Sequence, residues 1–165
     1  MGVASATLSP GRPRPFGAIL WGGLVAGAFD ITYACVFFYF RSGTSPARVL
    51  QSVASGLLGA NSFNGGFATA ALGLALHFFI ALTAAAVFYA ASRKFRFLIR
   101  AAVVWGLIYG VLIYVVMNYI VIPLSAVPPR AGPRPLIVFV TGLLVHMFLI
   151  GLPIALAVRR YSKLN

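Results

Sequence analysis

Acidic residues are almost absent from this chain of 165 residues: 13 lysines and arginines face a single acid, Asp30, and only 8% of the residues are charged. One carboxylate excludes every mechanism that needs two, such as glycoside hydrolysis. So few charges also cannot provide the polar surface that a water-soluble chain of this length requires. Composition alone therefore excludes a soluble globular protein.

Cysteine and the familiar catalytic motifs are scarce as well. Cys35 is the only cysteine, so neither an intrachain disulfide nor a thiolate metal site can be built. The sequence contains no Gly-x-Ser-x-Gly segment and no glycine-rich phosphate loop. We therefore expect a protein that is not an enzyme.

What the chain has in abundance is apolar sequence: 61% of the residues are hydrophobic and the mean hydropathy is +0.98. Crossing a hydrocarbon core takes about 20 apolar residues in a helix. Four runs meet that length, over residues 16–40, 67–91, 99–122 and 136–158. We predict an all-α integral membrane protein with the lipid bilayer around it, a four-helix bundle in a single domain over residues 1–165, with a polar tail at 1–15.

The connections between the spans differ in length and charge. The first is long, and its residues 47–58 have the pattern of a short interfacial or re-entrant helix. Nine of the 13 basic residues lie in the N-terminal tail, the second connection and the C-terminal tail. Basic loops are retained in the cytoplasm, so both termini are predicted to be cytoplasmic. Because the basic residues flank apolar spans and do not line one polar face, nucleic acid is not an expected partner.

The two halves of the sequence share a pattern that indicates an internal repeat of two similar helical hairpins. A Gly-xxx-Gly motif after a Trp occurs in the first and third spans, and a Gly-xxx-His motif occurs in the second and fourth. Small residues let helices approach closely in a membrane, so we predict helix packing, including a crossing of the first and third spans, at six glycines: Gly23, Gly27, Gly106, Gly110, Gly73 and Gly142.

Asp30, His77 and His146 are the candidate functional residues. A charged residue at the centre of a membrane helix costs about 2.5 to 3.5 kcal/mol, so Asp30 needs a compensating partner. Asp30 shares a helix face with the first-span glycines, and both histidines lie at the same predicted depth. The pattern predicts a mid-membrane site that relays or senses protons or cations.

Three alternatives remain open from the residues. In the first, the protein is structural: it binds another membrane protein or a second copy of itself through its glycine faces, and Asp30 only forms hydrogen bonds between helices. The two histidines with Asp30 could hold a divalent metal, or His77 and His146 could be the axial ligands of a haem. Our prediction is that the protein needs no cofactor. Asn118 and the kink expected at Pro153 are secondary features of the same region.

The layout resembles small bacterial inner-membrane proteins of the YagU type, a family without an assigned activity. The resemblance rests on a glycine-rich first helix, a histidine-bearing helix before a short basic turn, and the ends of the last two helices: Pro123, Leu124, Pro128 and Pro129, then Arg159 and Arg160. The resemblance implies a multi-pass protein of the bacterial plasma membrane. It assigns no functional residue, and this chain has fewer acidic residues than the family.

Overall fold

Five helices account for most of the computed structural model, which describes residues 15–129 and 132–162. Four are long and apolar enough to cross a membrane: α1 (Pro15–Ser42), α3 (Gly66–Lys94), α4 (Ala102–Leu124) and α5 (Leu136–Tyr161). The short α2 (Pro46–Leu58) lies between α1 and α3. The predicted four-helix membrane bundle is confirmed. The predictions made for the basic residues at 12, 14, 130 and 163 lie outside the described residues.

The four spanning helices pack in the order α3, α1, α5, α4. The first helix contacts both α3 and α5, and α5 contacts α4 along its length. In contrast, the backbones of α3 and α4 come close at few positions, although the Tyr109 hydroxyl of α4 donates to the Ala84 carbonyl of α3 at 2.7 Å. The bundle is therefore open on the side between these two helices.

The second helix begins and ends where local chemistry dictates. The Ser45 hydroxyl accepts a hydrogen bond from the Arg48 amide at 3.3 Å, and Pro46 occupies the first turn, where its missing N–H is harmless. At the other end, Gly59 adopts a positive φ of 60°, which favours glycine. The helix predicted at residues 47–58 is thus present.

Contacts hold α2 against α3 and against the third connection. A side chain at Gly73 would collide with the Leu50 carbonyl, so the glycine lets the two backbones touch. The Gln51 side chain donates to the Gly66 carbonyl at 3.0 Å, and the Ala126 amide donates to the Gly56 carbonyl at 3.0 Å. We call the side of the bundle that carries α2 and the third connection the connection face.

The other glycines also contact helices of the same chain, but not in the predicted pairing. A Cβ on Gly23 would lie 2.8 Å from the Leu82 Cα, so the first motif packs on α3. A Cβ on Gly106 would lie 3.0 Å from the Leu152 Cα, so the second motif packs on α5. The prediction that the first and third spans cross at these glycines is wrong, because each motif packs on the other spanning helix of its own hairpin.

Two of the spanning helices contain a wider π-helical turn, at Met117–Val121 in α4 and at His146–Gly151 in α5. Each turn ends two residues before a proline, Pro123 or Pro153. Proline lacks an N–H and its ring clashes with the carbonyl four residues earlier, and a wider turn relieves both effects. The expected disturbance at Pro153 is therefore a π turn that begins at His146.

The tightly packed core occupies the half of the bundle opposite the connection face. Its fully buried side chains include Phe88, Ile154 and Val158, with alanines of α1, α3 and α4 between them. Chain direction also changes at this end: a separate turn at Phe97–Arg100 precedes Ala101, whose φ of −108° and ψ of 51° break the helix. The third span therefore begins at Ala102 and not at the predicted residue 99.

Candidate functional site

Asp30, His77 and His146 line one cavity of about 250 Å³ near the middle of the bundle. Each of these side chains is half-buried, and each comes from a different spanning helix. Apolar side chains complete the wall, including Val53 from α2 and Ile113 from α4. The structure thus brings the three predicted residues to one space, in surroundings that are otherwise almost entirely apolar.

His77 is held by a hydrogen bond between its Nε2 and the Gly27 carbonyl at 2.8 Å. A carbonyl oxygen can only accept, so Nε2 carries a hydrogen, and whenever the ring is neutral Nδ1 keeps a lone pair. This bond joins α3 to α1 one turn before Asp30. The absence of a side chain at Gly27 is what allows the approach, because a Cβ there would lie 2.9 Å from the Phe78 ring.

His146 is oriented by its own helix and by α4. Its Nδ1 donates to the Gly142 carbonyl at 2.8 Å, which leaves the Nε2 lone pair as an acceptor in a neutral ring. The ring of the buried Tyr114 stands edge-on to the imidazole at 5.2 Å between centroids. The Tyr114 hydroxyl in turn accepts a hydrogen bond from Arg134 at 2.8 Å. A charged residue of the third connection is therefore linked to His146 through one aromatic ring.

No hydrogen bond or ion pair joins Asp30 to either imidazole within residues 15–129 and 132–162. The same part of the chain holds no cluster of three His, Cys, Asp or Glu side chains close enough to bind a metal ion. The cavity has room for several water molecules, each with a share of about 30 Å³ in the liquid. The three groups therefore share a cavity without touching.

Met117 and Asn118 also line the cavity, and they come from the π turn of α4. The Asn118 side chain donates to the Tyr114 carbonyl at 2.8 Å, which leaves its amide oxygen to accept. Sequence reasoning treated Asn118 as secondary and did not select Met117. The prolines were the sequence signal that could have found these residues. Pro123 and Pro153 each follow a π turn, and each π turn begins at a residue that lines the cavity.

Two further cavities, of about 380 and 450 Å³, adjoin the first on the side of the connection face. One shares Asn118 with the central cavity and the other shares Ile122, and Arg134 lines both. Between the central cavity and the opposite face lies the packed core. The Arg134 guanidinium lines both cavities that adjoin the central one near the connection face.

Comparison of the chain with protein-family models, curated proteins and solved structures finds no match. The resemblance to YagU-type proteins therefore stays a prediction. Any statement about function has to rest on the cavity and the residues around it.

Proposed function

We propose that this multi-pass membrane protein takes up and releases protons at the cavity formed by Asp30, His77 and His146. The observation that carries the proposal is that these three side chains line the same cavity. Carboxyl and imidazole groups are the side chains best suited to exchange protons near neutral pH. Ionisable residues within membrane spans often mark such pathways.

The hydrogen bonds of the two histidines support proton exchange. Each ring uses one nitrogen on a main-chain carbonyl, which fixes its orientation and leaves the second nitrogen as a proton acceptor. Because no direct bond ties Asp30 to a histidine, transfer between the groups would run through water in the cavity. In the proposed relay the carboxyl and the rings exchange protons with the connection face and, when the core around Phe88 opens, with the opposite face, so that protons cross the membrane.

The test is proton movement in liposomes that contain the purified full-length protein. We expect wild type to collapse an imposed pH gradient, and Asp30→Asn to slow the collapse to the rate of empty liposomes, because the amide cannot carry the proton. Thr32→Val is the matched control, since Thr32 lies on the same helix, is exposed and does not line the cavity. If Asp30→Asn conducts protons as fast as wild type, the proposal is wrong.

The assembly hypothesis receives less support from the described contacts. The glycines predicted to face another protein pack instead against helices of this chain, as Gly23 and Gly106 do. A partner would therefore have to bind elsewhere. The haem hypothesis would require a porphyrin between the two imidazoles, and the cavity of about 250 Å³ that they line is smaller than the roughly 300 to 1,000 Å³ of most cofactor pockets. It remains a prediction with its own test below.

A further inference from the structure

An apolar groove of about 320 Å³ runs between α3 and α4, on the open side of the bundle. Its lining contains two hydroxyls, and both donate their hydrogens to main-chain carbonyls: Thr83 to Phe79 at 2.8 Å and Tyr109 to Ala84 at 2.7 Å. The remaining lining is hydrocarbon, including Leu112. The groove therefore matches an apolar chain and offers little to water.

The groove is open to lipid on its outer side. Phe79 is 66% exposed and Leu112 is 53% exposed, and both lie within helices that cross the membrane. At that depth an exposed side chain meets hydrocarbon. A molecule dissolved in the bilayer can therefore reach the groove sideways, without passing through water.

The inner side of the groove meets the polar cavity. The two spaces share four lining residues: Ile80, Ala84, Ile113 and Met117. A ligand with an apolar body in the groove would therefore present its other end to Asp30 and the two imidazoles.

The polar cavity is rich in acceptors. In their neutral forms His77 Nδ1 and His146 Nε2 are free to accept hydrogen bonds from a ligand, because the opposite nitrogens already donate. Asp30 adds a carboxylate, the only negative side chain in the sequence. A group that donates several hydrogen bonds and carries a positive charge complements this set, and it would also compensate the cost of a charge in the membrane.

We propose, on the basis of the proposed function, that the site binds amphipathic amines from the bilayer, with the ammonium group at Asp30 and the apolar chain in the groove between α3 and α4. The location of Arg134 supports access from the lipid. Its guanidinium lines both cavities that adjoin the site near the connection face, so a cation that approached through either of them would first meet a like charge. An ammonium pairs only with the ionised form of Asp30, so binding to a protonated carboxyl would release its proton to water in the cavity and would thereby link the amine to proton release.

Photolabelling of the full-length protein in lipid nanodiscs tests this inference. The probes are dodecylamine, dodecanol and dodecanoate, each with a diazirine in its chain, and the labelled residues are mapped by mass spectrometry. We expect the amine to label the groove around Phe79 and Leu112, with competition by unlabelled dodecylamine. Because one charge-assisted contact is lost, Asp30→Asn should weaken labelling about tenfold or more.

A matched pair of variants separates the groove from the general lipid surface. Leu112→Trp fills the groove and should abolish labelling, whereas Val103→Trp adds the same ring at a 50% exposed position of α4 that does not line the groove. Equal labelling by the amine and the carboxylate, or no effect of Asp30→Asn, would overturn the inference. The comparison of probes uses wild type only, so it stands even if a variant does not fold.

Two results keep this inference separate from the proposed function. Proton exchange by wild type without specific amine labelling removes the inference and leaves the proposed function in place. Specific amine labelling without proton exchange in liposomes supports the amine site and removes the proposed function.

Discussion

Replacement of Gly110 by alanine tests how tightly α4 packs on α5 beside the candidate site. The added Cβ would lie 2.5 Å from the Met147 Cα and would overlap the His146 carbonyl oxygen. Both neighbours are backbone atoms, which cannot rotate away as a side chain can. To restore an ordinary contact of at least 3.4 Å, the two helices would have to separate by about 1 Å.

Two opposing effects decide the size of the change. Overpacking of a close contact costs about 1 to 3 kcal/mol, with occasional larger values. Removal of a glycine from a helix interior returns about 1 kcal/mol. We expect Gly110→Ala to lower the free energy of unfolding by about 0 to 2 kcal/mol, with the upper end favoured because both neighbours are backbone atoms that resist the shift.

Reversible unfolding by SDS in mixed micelles, followed by circular dichroism, measures this change. Gly56→Ala is the control: Gly56 lies within α2, and its Cβ would meet nothing closer than Ser125 at 3.9 Å. That variant should be unchanged or more stable by about 0.5 to 1 kcal/mol. If Gly110→Ala is stabilised as much as Gly56→Ala, the close packing of α4 on α5 at His146 does not exist.

Two further predictions concern the surroundings of the histidines. Tyr114→Phe removes the acceptor of the Arg134 hydrogen bond and should lower the free energy of unfolding by about 1 kcal/mol in the same assay. Tyr119→Phe, at a 64% exposed position, is the control and should leave the free energy of unfolding unchanged. Equal effects of the two variants would show that Arg134 is not hydrogen-bonded to Tyr114. Protein made with an ample haem supply should show no Soret band, because the cavity of about 250 Å³ that both imidazoles line is smaller than the roughly 300 to 1,000 Å³ of most cofactor pockets; a band that His146→Ala abolishes would instead support haem ligation.

The number of membrane spans could be predicted from the sequence, because the thickness of the hydrocarbon core sets the length of each span. A hydrocarbon core accepts only runs of about 20 apolar residues, so four spans follow from hydropathy. Helix ends depend on local backbone geometry and were less predictable, as the break at Ala101 shows. The π turns escaped prediction because they depend on how a helix accommodates a proline, and the sequence showed only the prolines themselves.

Helix pairing could not be predicted, because a Gly-xxx-Gly motif shows that a helix can approach a neighbour closely but not which neighbour it approaches.

The site was predictable in part. Equal depth placed Asp30, His77 and His146 at one level, and the structure places them around one cavity. The rotation of each helix about its axis is not fixed by a single sequence. That rotation decides which main-chain carbonyl accepts from each histidine and whether Asn118 lines the cavity.

The docking of α2 has a consequence for biosynthesis. Gly73 and Gly66, which receive α2, leave the ribosome after it does. When α2 emerges, the surface that will hold it has not yet been made, and a helix of 13 residues is too short to insert across the bilayer by itself. The segment can therefore dock only once α3 is present, so the wall of the cavity that Val53 supplies is completed only after the first hairpin is.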